Sequence, residues 1–389
     1  MGSEKIRLSS SSQPLTHFSG STYISCFISR SKFLGDSAVT SFGELEMTSY
    51  SSIPRRFDRA KAYLNFKESI SSFFEFKAAR KSDDTIRVLL LASIDNSYVE
   101  GCAQNLHACG QTVRNHLKTQ NPQRFAIINH EIIQKMKKKG ALSKPLTLAV
   151  DWHDIMYYGD PKAEGVVGTQ RKNGSNHAYR FGTISVLLNG QRLTLAATPM
   201  LDRCILWHVK HLLECVFELG VTVKLVLFDR GYYSTALMRY LDDAGIKYIM
   251  HIPWHGAPLK AGLDRPYTTT THKRTGIEQA TFRLVTLRQK DKLLVFATNT
   301  SLKPRRLRKT FRKRWGIETS YRMIGMFLAK TTSKLYSLRL LYFFLAVVLY
   351  NLWVLWNFRR RRVVCVHALK YAVRLCLVLS WLPDLECGG

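Results

Sequence analysis

Apolar and polar positions change their rhythm three times along this 389-residue chain. The first fifty or so residues are rich in Ser and keep no regular apolar period, so residues 1–52 are read as a disordered leader, with the folded part starting near Met47. Residues 53–140 then take up helical spacing. Residues 84–118 are read there as short helices, and "YVEGCAQNLHACGQTVRNHLK" sets Ala103, a turn around His107 to Gly110, then Val113 and Leu117 at the intervals of two packed helices joined by a tight turn. After the basic stretch "QKMKKKGALSKP", read as a linker, strand patterns begin. "LTLAVDWHD" alternates Leu146, Leu148 and Val150, while "YRFGTISVLL" and "QRLTLAATPM" flank Asn189-Gly190, a strong hairpin signal.

From Ile205 to Leu219 the apolar residues return to helical spacing and Gly220 ends the run. "VKLVLFDRGYYS" opens with a continuous apolar run of the kind buried on both faces of a sheet. Ser234 then caps a helix reaching Asp243, with Gly245 as its stop, and "KYIMHIP" supplies another strand. Residues 254–303 are expected to be loops plus one hairpin, "TFRLVTLRQ" and "KLLVFATN" about Lys290-Asp291, before helical spacing resumes to the end. This order predicts an α/β fold with a mixed sheet flanked by helices, a small helical domain before it, and a basic and apolar helix and tail over 359–389.

Charge narrows the class of partner. A formal net charge of +30 and a pI near 10.0 point to a polyanion, nucleic acid before an acidic membrane surface. The run Leu340 to Phe358 carries no charge and precedes Arg359 to Arg362, as a membrane span would, yet Asn351 and its aromatic residues suit a buried core helix better. Eight scattered cysteines without a C-x-x-C pair predict no disulfide framework and a reduced, cytoplasmic setting. Cys102, His107, Cys109 and His116 match no usual zinc spacing, and Cys102 belongs to an apolar face.

Acidic residues are most informative where they are scarce. Glu318 is the single acid in "KPRRLRKTFRKRWGIETSYR", with none between Asp291 and itself and none again before Asp384. A surface pairing with Arg314 and Arg322, four residues to either side on one helical face, is one account of it. A second follows from the order of elements: a strand delivering Asp151 at its end, a strand delivering Asp229, and a helix presenting Glu318. Carboxylates at the ends of neighbouring strands repel one another unless divalent cations fill the cluster. Two Mg²⁺ (or Mn²⁺) ions, roughly 3.5 to 4 Å apart, would then activate a water or a 3′-hydroxyl for in-line phosphodiester displacement. Asp154, three residues beyond Asp151, is placed in a loop or behind the site.

The segments "AVDWHD", "LFDRGYYS" and "FRKRWGIETSYR", with the apolar helix after them, resemble the DDE transposases of prokaryotic insertion sequences, which share an RNase H-like core. Within these the chain is most similar to the insertion-sequence-four type, in its archaeal and halobacterial branch, over about residues 146–358. The resemblance implies Asp151, Asp229 and Glu318 as metal ligands, an RNase H-like catalytic domain over 141–358 with residues 254–303 as its β-rich insertion, and a homodimer that pairs two transposon ends. In the family signature of aromatic, Arg, Glu and Lys, Phe311 stands where Tyr is usual, Arg314 and Glu318 match, and Gly325 replaces the Lys.

The expected partner is double-stranded DNA, as transposon end and as target. Arg314, Arg322, Arg230 and Lys330 are candidate phosphate contacts, and Trp315, Tyr232, Tyr233 and Tyr321 candidate stacking residues. Gln111, Thr112, Arg114, Asn115 and Lys118 form the outward face of the second short helix, where base edges or phosphates come within reach. Two other readings stay open at this point: an RNase H-like nuclease without strand transfer, and a DNA-binding protein that has lost catalysis.

Overall fold

The computed structural model describes residues 59–71, 74, 79–188, 190–201, 204–254, 259–273, 276–290, 292–358 and 363–379, with the backbone alone at 59, 79–81, 273, 317 and 318. The Ser-rich leader over 1–52, Met47 and the arginine run 359–362 lie outside the described residues.

Five helices come first: α1 (Arg59–Ser71), α2 (Ala79–Asp95), α3 (Val99–Asn105), α4 (Gly110–Lys118) and α5 (Arg124–Lys138). Between α3 and α4, His107 takes the place of the usual turn glycine and adopts φ 49°, the left-handed region glycine normally fills. Val113 and Leu117 are buried under α4, Gln111, Asn115 and Lys118 are exposed, and Thr112 and Arg114 are half-buried. Arg114 reaches back to Glu100 of α3 at 3.1 Å, and Cys102 is buried in α3.

The first five residues of the basic stretch expected to be a linker are instead the last turn and a half of α5. Phe125, Ile128, Ile132, Ile133 and Met136 recur at helical spacing and are buried, so the lysines are the wet side of a packed helix. Lys137 Nζ donates to the carbonyls of Leu219 and Gly220 at 2.8 and 3.3 Å, capping the end of a helix more than eighty residues away.

The sheet contains β1 (Leu146–Tyr157), β2 (Val166–Lys172), β3 (Ser175–Leu188), β4 (Gln191–Pro199), β5 (Val223–Phe228), β6 (Tyr248–His251), β7 (Asp264–Lys273), β8 (Gly276–Gln289) and β9 (Lys292–Thr298). Its order is β2-β3-β1-β5-β6-β9-β8-β7, with β4 paired to β3. Thus β4, β3 and β1 form an antiparallel meander, and β5 and β6 join β1 in parallel. That arrangement, three antiparallel strands continued by two parallel ones, is the RNase H-like mixed sheet. The crossovers are α6 (Ile205–Glu218) and α7 (Thr235–Asp243), the latter capped as expected by Ser234, whose hydroxyl accepts from the Leu237 N–H.

Residues 254–303 hold more strand than expected. β7 pairs with β8 over ten residues, and both join the main sheet through β9 rather than standing apart. The chain then enters α8 (Pro304–Phe311), a 3-10 turn over Arg312–Trp315, α9 (Gly316–Gly325), α10 (Tyr336–Asn357) and α11 (Val366–Leu379).

α10 is long and apolar enough to cross a membrane, with mean hydropathy 2.0, yet 89% of its most apolar stretch is buried inside the fold. Its one central polar group explains the placement. Asn351 donates to Asn129 of α5 and to the Thr194 carbonyl of β4, and accepts from the Thr194 N–H at 3.1 Å, so α10 is pinned between helix and sheet. Phe343 stacks on Phe181 of β3 at 3.9 Å, adding an aromatic contact to the same seam.

Candidate active site

Register brings the first two carboxylates together. β1 and β5 run parallel with Val150 opposite Phe228 as their last partners, so Asp151 and Asp229 follow side by side where that ladder ends. β1 itself does not end there. It continues to Tyr157 against β3, with Asp151 opposite Thr183, so Asp151 is a mid-strand residue at the end of the parallel pairing only. Asp229 leaves the sheet into a 3-10 turn over Arg230–Tyr232. That turn lies so close to β1 that a Cβ at Gly231 would fall 2.2 Å from the Trp152 indole, which accounts for the glycine in "LFDRGYYS".

Arg314 closes the cluster. Its Nη1 donates to Asp151 Oδ2 at 3.0 Å and its Nη2 lies 3.6 Å from Asp229 Oδ1, with only 6% of the side chain exposed. One buried guanidinium therefore bridges both aspartates. Such a fork suits two carboxylates far better than an ammonium would. Of the two aspartates, Asp151 is the more enclosed and Asp229, 38% exposed, faces solvent.

Position 318 is delivered by α9, and Tyr321, three residues on, fixes that helix to the sheet. The Tyr321 hydroxyl donates to the Asp151 carbonyl at 2.7 Å and shares a 2.8 Å hydrogen bond with Thr183. Its ring stacks on His153 at 5.0 Å, and burial drives its phenol well above the ordinary range, so it stays a neutral donor. Position 318 lies in α9, three residues before Tyr321, whose hydroxyl holds the Asp151 backbone. The Glu318 side chain lies outside the described residues.

Beneath the first turn of α9 is Arg192 of β4. A Cβ at Gly316 would stand 2.4 Å from its Nε, so the glycine of "RWGIE" is the space this arginine needs. Burial lowers the Arg192 guanidinium to about 10, and its Nε has no hydrogen-bond partner. No spacing in the sequence marks it, because β4 is buried on both faces and Arg192 interrupts an apolar alternation rather than extending a motif. His251, at the end of β6 beside Asp229, was also missed. Burial holds its imidazole below the ordinary value against the opposing pull of Asp229.

Asp154 lies within β1, not in a loop, and behind the site. Arg180 Nε and Nη2 hold its two oxygens at 2.7 and 2.8 Å and Thr169 donates to it at 2.6 Å. Although burial opposes it, these bonds keep the Asp154 carboxyl below its usual range. The candidate DNA contacts divide by exposure. Arg230, Arg322 and Trp315 are exposed beside the site, Lys330 is exposed but lies beyond the end of α9 against Ser97 and Tyr98, and Tyr233 is half-buried with its hydroxyl on Thr269 at 3.0 Å. Tyr232 is fully buried against Trp152, with ring centroids 4.7 Å apart, so, like Tyr321, it offers no open face to a base.

Among the described residues no three His, Cys, Asp or Glu side chains form a metal-holding group. The two described carboxylates nevertheless fit a hard divalent cation: their oxygens converge at neighbouring strand positions, with a single guanidinium between them.

A family profile described as "Transposase DDE domain" matches residues 143–352, which contain Asp151, Asp229, Arg314 and Glu318. No curated protein matches the chain. Among solved structures, a piggyBac transposase synaptic complex with hairpin DNA aligns with a TM-score of 0.52 at 11% identity, covering 85% of this chain and 81% of that one, a likeness of fold. Endonuclease V from Bacillus subtilis (TM-score 0.22, 12% identity, 56% of this chain and 87% of that one) and a pre-cleavage Mos1 transpososome (0.17, 12%, 53% and 62%) align far less well. Since the matched profile spans more than half of the sequence, the chain belongs to the transposase DDE-domain family.

Proposed function

We propose that this protein is the transposase of an insertion sequence of the insertion-sequence-four type, cutting its DNA ends and joining them to a target. The observation that carries this reading is the parallel register of β1 and β5, which sets Asp151 and Asp229 side by side under one buried arginine. A charged cluster of that kind is expensive to fold and has no structural task that a neutral pair would not perform as well.

Asp151, Asp229 and Glu318 would hold the divalent ions. When bound, these supply Lewis acidity at the scissile phosphate and a deprotonated oxygen nucleophile. The Asp151 carboxylate is oriented before DNA arrives by the Trp152 N–H, which donates to Oδ1 at 2.9 Å, and by Arg314 on Oδ2, while Tyr321 holds its backbone carbonyl. Arg314 neutralises the two aspartates in the absence of DNA and keeps them from repelling one another. Its fork also stands where a phosphate bound at the cluster would meet a donor. Arg230 and Arg322 are exposed cations beside the cluster and would take up flanking phosphates, with the exposed Trp315 ring next to Arg314 and Lys330 further out beyond α9. The outward residues of α4 would read or grip DNA further out. We place two copies of the chain on two ends.

The test is a joining assay on duplexes carrying the sequences that flank this gene, with a supercoiled plasmid as target and Mg²⁺ or Mn²⁺ supplied. Covalent joining of the cut end to the plasmid is the expected result. Cutting without joining would leave a nuclease, and binding without cutting a DNA-binding protein.

A further inference from the structure

Asp151 and Asp229 are two members of a longer row. Val150, Phe228 and Met250 are partners across β1, β5 and β6, so the residues that follow them, Asp151, Asp229 and His251, come side by side on the opposite face of the sheet. Neighbouring strands are about 4.8 Å apart, which sets His251 one strand beyond Asp229 on the side away from Asp151. The segment 311–314 lies over this row. Arg314 holds the two aspartates, and the Phe311 ring lies 6.2 Å from the His251 ring and 4.9 Å from Phe296, the partner of His251 on β9. His251 is half-buried, and Asp229, Arg230 and Arg314 are charged groups that act on it. Among the described residues nothing hydrogen-bonds to its ring nitrogens, and neither nitrogen is sealed from solvent.

A ring that only filled the space between Phe296 and Phe311 would need no nitrogen. We propose that His251 is a further catalytic residue, a neutral donor that gives an N–H to a non-bridging oxygen of the phosphodiester held at Asp229, an inference that rests on the DNA-cutting reading above. Arg314 meets that phosphate as a charged fork, whereas the imidazole meets it from the β6 side and adds a hydrogen bond without adding charge. Phe311 brings no hydroxyl to this end of the row, so a neutral donor there comes from the sheet. Hard divalent ions of the kind the carboxylates suit take oxygen before imidazole nitrogen, which favours the substrate over an ion as the partner of this ring.

The full-length protein is assayed in single turnover with Mn²⁺ on a labelled duplex carrying the ends that flank this gene. His251→Phe keeps a ring between Phe296 and Phe311 and removes the N–H, while His251→Gln gives up the ring and keeps a neutral donor. His251→Phe should cut about thirtyfold more slowly, the worth of one hydrogen bond to a charged group, with the Mn²⁺ midpoint unchanged. His251→Gln should recover most of that loss. Wild-type cutting by His251→Phe, or a loss as large in His251→Gln, makes the ring a packing group and overturns the proposal. A raised Mn²⁺ midpoint in His251→Phe would make His251 an ion ligand and overturn it too. A second readout needs no cutting: in Ca²⁺, one neutral methylphosphonate at the junction of element and flank should weaken binding several-fold more for the wild type than for His251→Phe. That difference without any cutting by the wild type would sink the catalytic reading and keep the contact; cutting by the wild type with equal weakening of both proteins would sink the contact alone.

Discussion

Arg314 is the residue whose surroundings differ most from what its place in a basic stretch suggests. Of the cations in that stretch it alone is buried, because its fork meets two carboxylates that would otherwise repel each other. Arg314→Lys keeps the charge but not the reach, and should lower cleavage by about a hundredfold in a gel assay while leaving DNA retention in place. Asp151→Ala and Asp229→Ala should each abolish cleavage with binding persisting; nicking by either variant would remove that residue from the site. The two aspartates stood out in the sequence because each comes at the end of an apolar run, and Glu318 because it is the single acid of a basic stretch. The roles of Tyr321 and Arg192 could not, since both depend on which strand passes beneath α9, a relation between segments more than a hundred residues apart.

At the level of elements, packing decided several features that periodicity left open. β2 and β7 were missed. Asn173-Gly174 offered a second hairpin signal as clear as Asn189-Gly190, with φ 51° and 86° in the turn, but the polar strand before it masked the pattern. β7 is a run of threonines at the sheet edge, where one wet face and high β-propensity replace alternation. α6 sits on β3 through His208, whose ring occupies the space a Cβ at Gly182 would need.

Burial pushes that imidazole down to about 4, so the neutral ring is the folded form. Its stabilising contribution is complete above the unfolded value near 6.5 and is lost as pH falls towards 4, up to about 3 kcal/mol. Thermal melts at pH 7.5 and pH 5 should show a marked loss for the wild type and a smaller one for His208→Gln. Asp154→Asn should cost about 2 kcal/mol through the lost Arg180 and Thr169 bonds without abolishing cleavage. The Asp154 carboxyl is depressed, so its contribution is present above the usual carboxylate range and disappears as pH falls through it.

For the whole molecule, charge and burial settle what composition alone left divided. Among the described residues one helix is fit for a membrane and it is buried between α5 and the sheet, while the charge of +30 favours a polyanion as partner. With six to ten phosphates neutralised, affinity for duplex DNA should fall by about 10³ to 10⁵ between 50 and 200 mM salt, as a fluorescence-anisotropy titration would read directly. The mixed sheet was legible from the order of elements. The joining of β7 to β9 onto the same sheet was not, because nothing local distinguishes an insertion that pairs with the core from one that stands apart.

The central claim is that Glu318 completes a metal-binding carboxylate set with Asp151 and Asp229. Its most direct test is Mn²⁺-dependent cleavage of a labelled duplex carrying the ends that flank this gene, wild type against Glu318→Gln, which keeps the shape and removes the charge. Cleavage by the wild type that vanishes in the variant, with binding unchanged, is the result predicted. Equal cleavage by both proteins would contradict it and return Glu318 to a surface ion pair with its neighbouring arginines.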